Sequence, residues 1–123
     1  MRVKNELLIS GATPLDDNWT SRGAWLGHVG QYSIQLVFTG DVAGTFSLQV
    51  SNDEGNIAAQ TLPNQEDGVD NWSTITGSQQ IVDEAGTHTW DIEGAGHNWV
   101  RVVFESDDSD GSLVSARAYT KGF

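Results

Sequence analysis

From Tyr32 to Asn52 the sequence alternates with a period of two. Tyr32, Ile34, Leu36 and Phe38 are separated by Ser33, Gln35 and Val37, and Phe46, Leu48 and Val50 are separated by Ser47 and Gln49. A period of two puts each apolar set on one face of a pleated strand, and Gly40-Asp41-Val42-Ala43-Gly44 between them has turn chemistry. The segment reads as a β-hairpin. The same grammar returns at Val100, Val102 and Phe104, followed by an acidic turn ending at Gly111 and a run from Leu113 to Thr120, which reads as a second hairpin contributing to the opposing sheet.

Further strands are expected near 72–76, 79–83 and 87–93, with 99–105 and 112–120 completing the second hairpin. Leu7 to Ile9 reads as a short first strand, and residues 1–6 as an N-terminal arm. Fourteen glycines and clusters of Asn and Asp supply the turns. Short strands at this spacing, with no sustained helical period, predict an all-β fold: one antiparallel β-sandwich over 1–123, jelly-roll-like, with eight or nine short strands. Asn52 to Asn71 is expected as a long loop, with Ile57 to Leu62 its one strand-like piece.

Charge and composition narrow the function. Seventeen acidic residues against six basic ones give a net charge of −11, which repels nucleic acid phosphates and anionic lipid, so neither nucleic acid nor membrane is expected as a partner. Zero cysteines exclude disulfides and thiolate chemistry. Apolar runs are too short for a membrane span, and Leu7-Leu8-Ile9 is too short for a signal-peptide core, so the product is expected to be soluble as made. The Asn-x-Ser/Thr triplets at Asn18 and Asn71 match a glycosylation pattern too short to carry weight alone.

No catalytic constellation emerges. His88 shares a strand face with Trp90 and Ile92 and reads as a buried or rim histidine, while His28 and His97 lie beside glycines in loops. The chain is therefore expected to be non-enzymatic, without a cofactor. Ser106, Asp108, Asp110 and Gly111 imitate the start of a calcium loop, but Arg117 falls where a bidentate Glu belongs, so the run reads as a solvated turn and no metal is expected.

Binding is better supported, because five tryptophans exceed what a core this small usually needs. Trp90 falls on the apolar phase of its strand and is assigned to the interior. Trp99 falls opposite Val100, Val102 and Phe104, on the outer side with Arg101, and both are interface candidates. Trp19 and Trp25 bracket a segment without alternation, and either cap the sandwich end or present aromatic surface to a partner. Trp72 begins a strand, as a core-edge seal or a sugar-stacking platform. Arg2 and Lys4 in the N-terminal arm, and the terminal Phe123, complete the candidate contacts.

Gly44-Thr45-Phe46-Ser47-Leu48-Gln49-Val50-Ser51-Asn52-Asp53, Asn71-Trp72 with Ile75-Thr76-Gly77-Ser78, Trp99-Val100-Arg101-Val102-Val103-Phe104 and Gly111-Ser112-Leu113 occur in the order seen in small β-sandwich virion proteins of tailed bacteriophages, which about two thirds of this chain resembles. The resemblance implies a head decoration or cement protein on the outer surface of the virion, made in the host cytoplasm. Its implied partners are the major capsid protein and further copies of itself, as a dimer or trimer. A carbohydrate-binding or host-adhesion module, or a tail or neck component, is the alternative.

Overall fold

The computed structural model describes residues 3–9, 11–26, 29–53, 69–93 and 97–122. Among them are eleven strands: β1 Val3–Leu7, β2 Thr13–Pro14, β3 Trp19–Thr20, β4 Ala24–Trp25, β5 Val29–Asp41, β6 Gly44–Ser51, β7 Ser73–Thr74, β8 Gln80–Val82, β9 Gly86–Glu93, β10 Trp99–Ser106 and β11 Asp110–Gly122. They form two antiparallel sheets. Sheet A runs β1-β11-β5-β9 with β2 also on β11, and sheet B runs β3-β10-β6-β7 with β4 also on β10 and β8 also on β6.

Three of these positions are broken strands. β1 and β2 share one side of β11, β3 and β4 one side of β10, and β7 and β8 one side of β6. Taking each broken pair as one leaves eight positions, four per sheet, in the interleaved order of a jelly roll. The expected all-β jelly-roll sandwich is the fold found. β7 and β8 are interrupted because Ser78 N–H donates to Ile75 O (3.1 Å) in a turn that uses Gly77 at φ +84°, while Ser78 Oγ accepts from Leu48 N–H (3.1 Å).

Neither expected hairpin exists. β5 pairs with β11 and β9, whereas β6 pairs with β10, β7 and β8, so the chain changes sheet between Asp41 and Gly44. The β10–β11 connection also crosses, and the two crossings lie side by side instead of in opposing sheets. Asp107 N–H donates to Ala43 O (3.0 Å) and Ala43 N–H to Ser109 Oγ (3.2 Å), while Asp110 pairs with Asp41 and Ser106 with Gly44. Apolar residues of two strands face each other across a sandwich just as they line up within a hairpin, so alternation is the same in both cases. Close packing is what makes the crossing work. Val42 is fully buried at its apex, and a Cβ on Gly111 would meet Val42 Cγ2 at 2.2 Å.

Between the sheets lie Ile34, Leu36 and Phe38 of β5, Phe46, Leu48 and Val50 of β6, Val100, Val102 and Phe104 of β10, and Leu113, Ala116 and Ala118 of β11. Phe46 bridges the layers, its ring 5.4 Å from Phe38 and 4.7 Å from Phe104. A register shift between Leu113 and Ser115 turns Val114 outward and returns Ala116 to the core. Trp90 is interior as expected, its Nε1 donating to Ser78 O (2.9 Å) and tying the edge of sheet A to sheet B.

The expected N-terminal arm is, from Val3 onward, the edge strand β1, paired from Val3↔Lys121 to Leu7↔Arg117. The first strand therefore precedes the expected 7–9, and Leu8 and Ile9 that follow it are buried. The strand-like piece expected at 57–62 lies outside the described residues.

Candidate functional site

The outer face of sheet B collects most of the aromatic candidates at one end. β10 turns Val100, Val102 and Phe104 inward, so Trp99, Arg101 and Val103 fall on the other face. In register, Trp99 lies between Trp25 of β4 and Ser51 of β6, and Arg101 opposite Gln49. Arg101 Nε donates to Gln49 Oε1 (2.8 Å), and its guanidinium carbon lies 4.1 Å from the centre of the Trp72 ring. That geometry is a cation–π stack on a ring held in place by Trp72 Nε1 donating to Val69 O (3.0 Å).

Trp99 corrects one expectation. Its phase is outward as read, but it is 0 % exposed, and Trp25 packs edge-on against it with ring centres 5.1 Å apart at 63°. It supports the site from beneath and offers no contact surface. Its indole Nε1 is buried without a hydrogen-bond partner among the described residues. Trp25 is half-buried and carries the aromatic surface above it.

The sequence candidates separate accordingly. Arg101 and Trp25 come together on this face, joined by Trp72. Trp19 pairs with Phe104, faces inward and packs on the core, so of its two readings it takes the cap. Lys4 stands opposite Thr120 in β1; its side chain, Arg2 and Phe123 lie outside the described residues.

An aspartate clamp borders the aromatic cluster. Asp53 Oδ2 accepts from the backbone N–H groups of Asp70 (2.8 Å) and Asn71 (2.9 Å), and Asn71 Nδ2 donates to the same carboxylate at 3.1 and 3.2 Å. The Asn71 backbone donor, then that of Asp70, then the Asn71 side chain hold the Asp53 carboxyl below the usual carboxylate range. Asn98 fastens the adjoining end of β10, donating from Nδ2 to Asn52 O (2.9 Å). Sequence reasoning did not single out Asp53, Gln49 or Asn98. The neighbouring Asn52-Asp53 and Asp70-Asn71 pairs, both Asx-type turn formers, were the available signal.

Residues weighed for chemistry have structural neighbours. His88 sits edge-on to Trp90 (4.6 Å), its Nε2 buried and unpartnered among the described residues, and desolvation lowers its pKa. His97 is exposed, and His28 lies outside the described residues. In the acidic run, Ser106 Oγ accepts from Ser109 N–H (3.2 Å) and Ser109 Oγ from Ala43 N–H, so both hydroxyls brace the crossing.

No protein-family model matches the sequence, and no curated protein matches it by sequence. Among solved structures, the chain is similar to the SPBc2 prophage-derived protein YomS, at 11% identity over 97% of this chain and 92% of that one, with a TM-score of 0.57. It also matches the coat protein of Tobacco streak virus, at 12% identity over 98% of this chain and 86% of that one (TM-score 0.47). A third match is the CBM22-1-GH10 modules of Clostridium thermocellum xylanase 10B complexed with xylohexaose, at 13% identity over 98% of this chain and 26% of that one (TM-score 0.46). The first likeness establishes a shared fold along nearly the whole of both chains.

Proposed function

We propose that this chain is a non-enzymatic structural protein of a phage particle, a decoration protein that binds the outside of the head through the outer face of sheet B. The observation that carries the reading is the Trp25–Arg101–Trp72 array. Trp and Arg are the residue types that dominate binding energy at protein interfaces, and here they are positioned before any partner arrives. The stack on Trp72 and the bond to Gln49 restrict the Arg101 side chain, which lowers the entropy cost of docking. The fold shared with a prophage-derived protein supports the same setting.

Physical demands of the role agree with the scaffold. A packaged head bears outward load, and a small sandwich bridging capsid subunits stabilises them by burying area across their junction. Copies arranged as dimers or trimers at local symmetry axes would multiply weak contacts into tight attachment. The charge of −11 keeps decorated particles apart. A sugar platform on the tryptophans is less well supported, because Trp19 turns to the core and Arg101 covers one face of Trp72.

Mass spectrometry of purified heads and purified tails from the phage that encodes the chain tests the assignment. The chain is expected in stoichiometric amount on heads; its presence on tails alone would overturn the reading.

A further inference from the structure

A second surface, on the opposite side of the sandwich, has a different chemistry. On the outer face of sheet A, the registers place Tyr119 of β11 beside Ser33 of β5 and Ser33 beside Asp91 of β9; in the adjoining row Gln31 pairs with Glu93. Ser33 is short and its neighbours on both sides are long, so the row is notched at its centre. The result is a depression of about 280 Å³ lined by Gln31, Ser33, Asp91, Glu93 and Tyr119, with Tyr32 and Ile92 in its floor. Strand spacing makes it roughly 10 Å from β11 to β9 and about 7 Å from one row to the next.

We infer that this notch is a binding site for one ring of a neutral sugar. A pyranose has an apolar C–H face and a rim of hydroxyls, and it needs one flat apolar wall and several hydrogen-bonding groups of both kinds. Tyr119, 38 % exposed, supplies the wall. Ser33 and Gln31 supply donors and acceptors, and the Asp91 and Glu93 carboxylates supply acceptors suited to adjacent hydroxyls. These side chains stand on three hydrogen-bonded strands, so the site is set by the sheet itself and not by a loop. The chain's charge of −11 and the two carboxylates exclude acidic sugars by repulsion. The inference is independent of attachment through sheet B, and the two surfaces leave the protein free to hold a particle on one side and a glycan on the other.

The test is a titration of the ¹⁵N-labelled full chain with methyl glucoside, methyl galactoside and the methyl glycoside of N-acetylglucosamine, each to about 50 mM, with calcium chloride in parallel. At least one glycoside is expected to shift the amides of residues 31–33, 91–93 and 119 saturably, with a Kd on the order of millimolar, as suits a ligand of so few atoms. Tyr119→Ala and Asp91→Asn are each expected to weaken that binding by about tenfold or more while leaving the melting temperature within about 2 °C, since both side chains are surface ones. If Tyr119→Ala does not fold, Asp91→Asn decides. Shifts from calcium chloride alone, shifts centred on sheet B, indifference to the substitutions, or no response to any glycoside would each overturn the inference. Head binding is read separately, so either proposal can fail alone.

Discussion

Replacing Gly44 by alanine tests the sheet-crossing geometry that separates this fold from a stack of hairpins. A Cβ at Gly44 would lie 2.2 Å from Glu105 O and 2.6 Å from Phe104 Cζ. Carbon–oxygen contacts ordinarily stop near about 3.3 Å, so the overlap is roughly 1 Å. The phenyl ring is fully buried against Phe46, and the carbonyl belongs to the β10 ladder that pairs Ser106 with Gly44, so neither can yield cheaply. Overpacking of this kind costs about 1–3 kcal/mol, and a disturbed ladder bond about 1 more. Gly44 also sits at φ +156°, where an L side chain is strained by about 1 kcal/mol or more, which offsets the roughly 0.4–1 kcal/mol that the smaller unfolded-state entropy of alanine returns and leaves a net loss of about 2–4 kcal/mol. With an unfolding entropy near 2.1 cal/mol/K per residue, a chain of this length should melt about 8–15 °C lower by calorimetry or circular dichroism. Gly11, where an added methyl carbon would meet nothing within 4 Å, is the control, and Gly11→Ala should change stability by no more than about 0.5 kcal/mol. A Gly44→Ala protein melting within about 2 °C of the parent would refute the packing at the crossing.

Further predictions concern ionisable groups. Burial pushes the Tyr32 phenol up to about 12, and its hydroxyl is unpartnered among the described residues. The folded state therefore holds this proton when the unfolded chain releases it, and stability should fall as pH rises from about 10 to 12, by as much as about 2 kcal/mol. Tyr32→Phe should remove that part of the alkaline loss in denaturant titrations without destabilising the protein at neutral pH. His88, its pKa lowered by desolvation, favours folding when neutral, so stability should decline as pH falls below the unfolded value of about 6.5. His88→Leu should flatten the decline of chemical-denaturation midpoints below about pH 6.5. Asp53, held below the ordinary carboxylate range, stabilises its clamp above its unfolded pKa and loses that effect as pH falls through its folded one; Asp53→Asn should speed hydrogen exchange at the Asp70 and Asn71 amides.

Much of the architecture was legible because burial in a sandwich follows the pleat. The alternation at Tyr32–Phe38, Phe46–Val50 and Val100–Phe104 identified strands and inward faces alike. Strand partners were not legible, since a five-residue glycine-bounded connection can close a hairpin or carry the chain to the facing sheet about 10 Å away. The bulge after Leu113 likewise depends on a partner strand that local sequence does not display. At the site, the outward phase of Trp99 and Arg101 could be read, but Trp99 is buried and meets Trp25 of a two-residue strand that local periodicity does not reveal. Arg101 on Trp72 and the notch at Ser33 each need the registers of three strands together, so only the folded sheets bring them into view.

Cosedimentation with DNA-free phage heads tests the proposed surface attachment most directly. The parent protein should saturate the heads at a fixed ratio of copies to capsid subunits. Arg101→Ala and Trp25→Ala should each lose at least about tenfold in affinity, as residues of an interface centre do. Heads that bind neither the parent nor the variants, or that bind all three equally, would contradict attachment through sheet B.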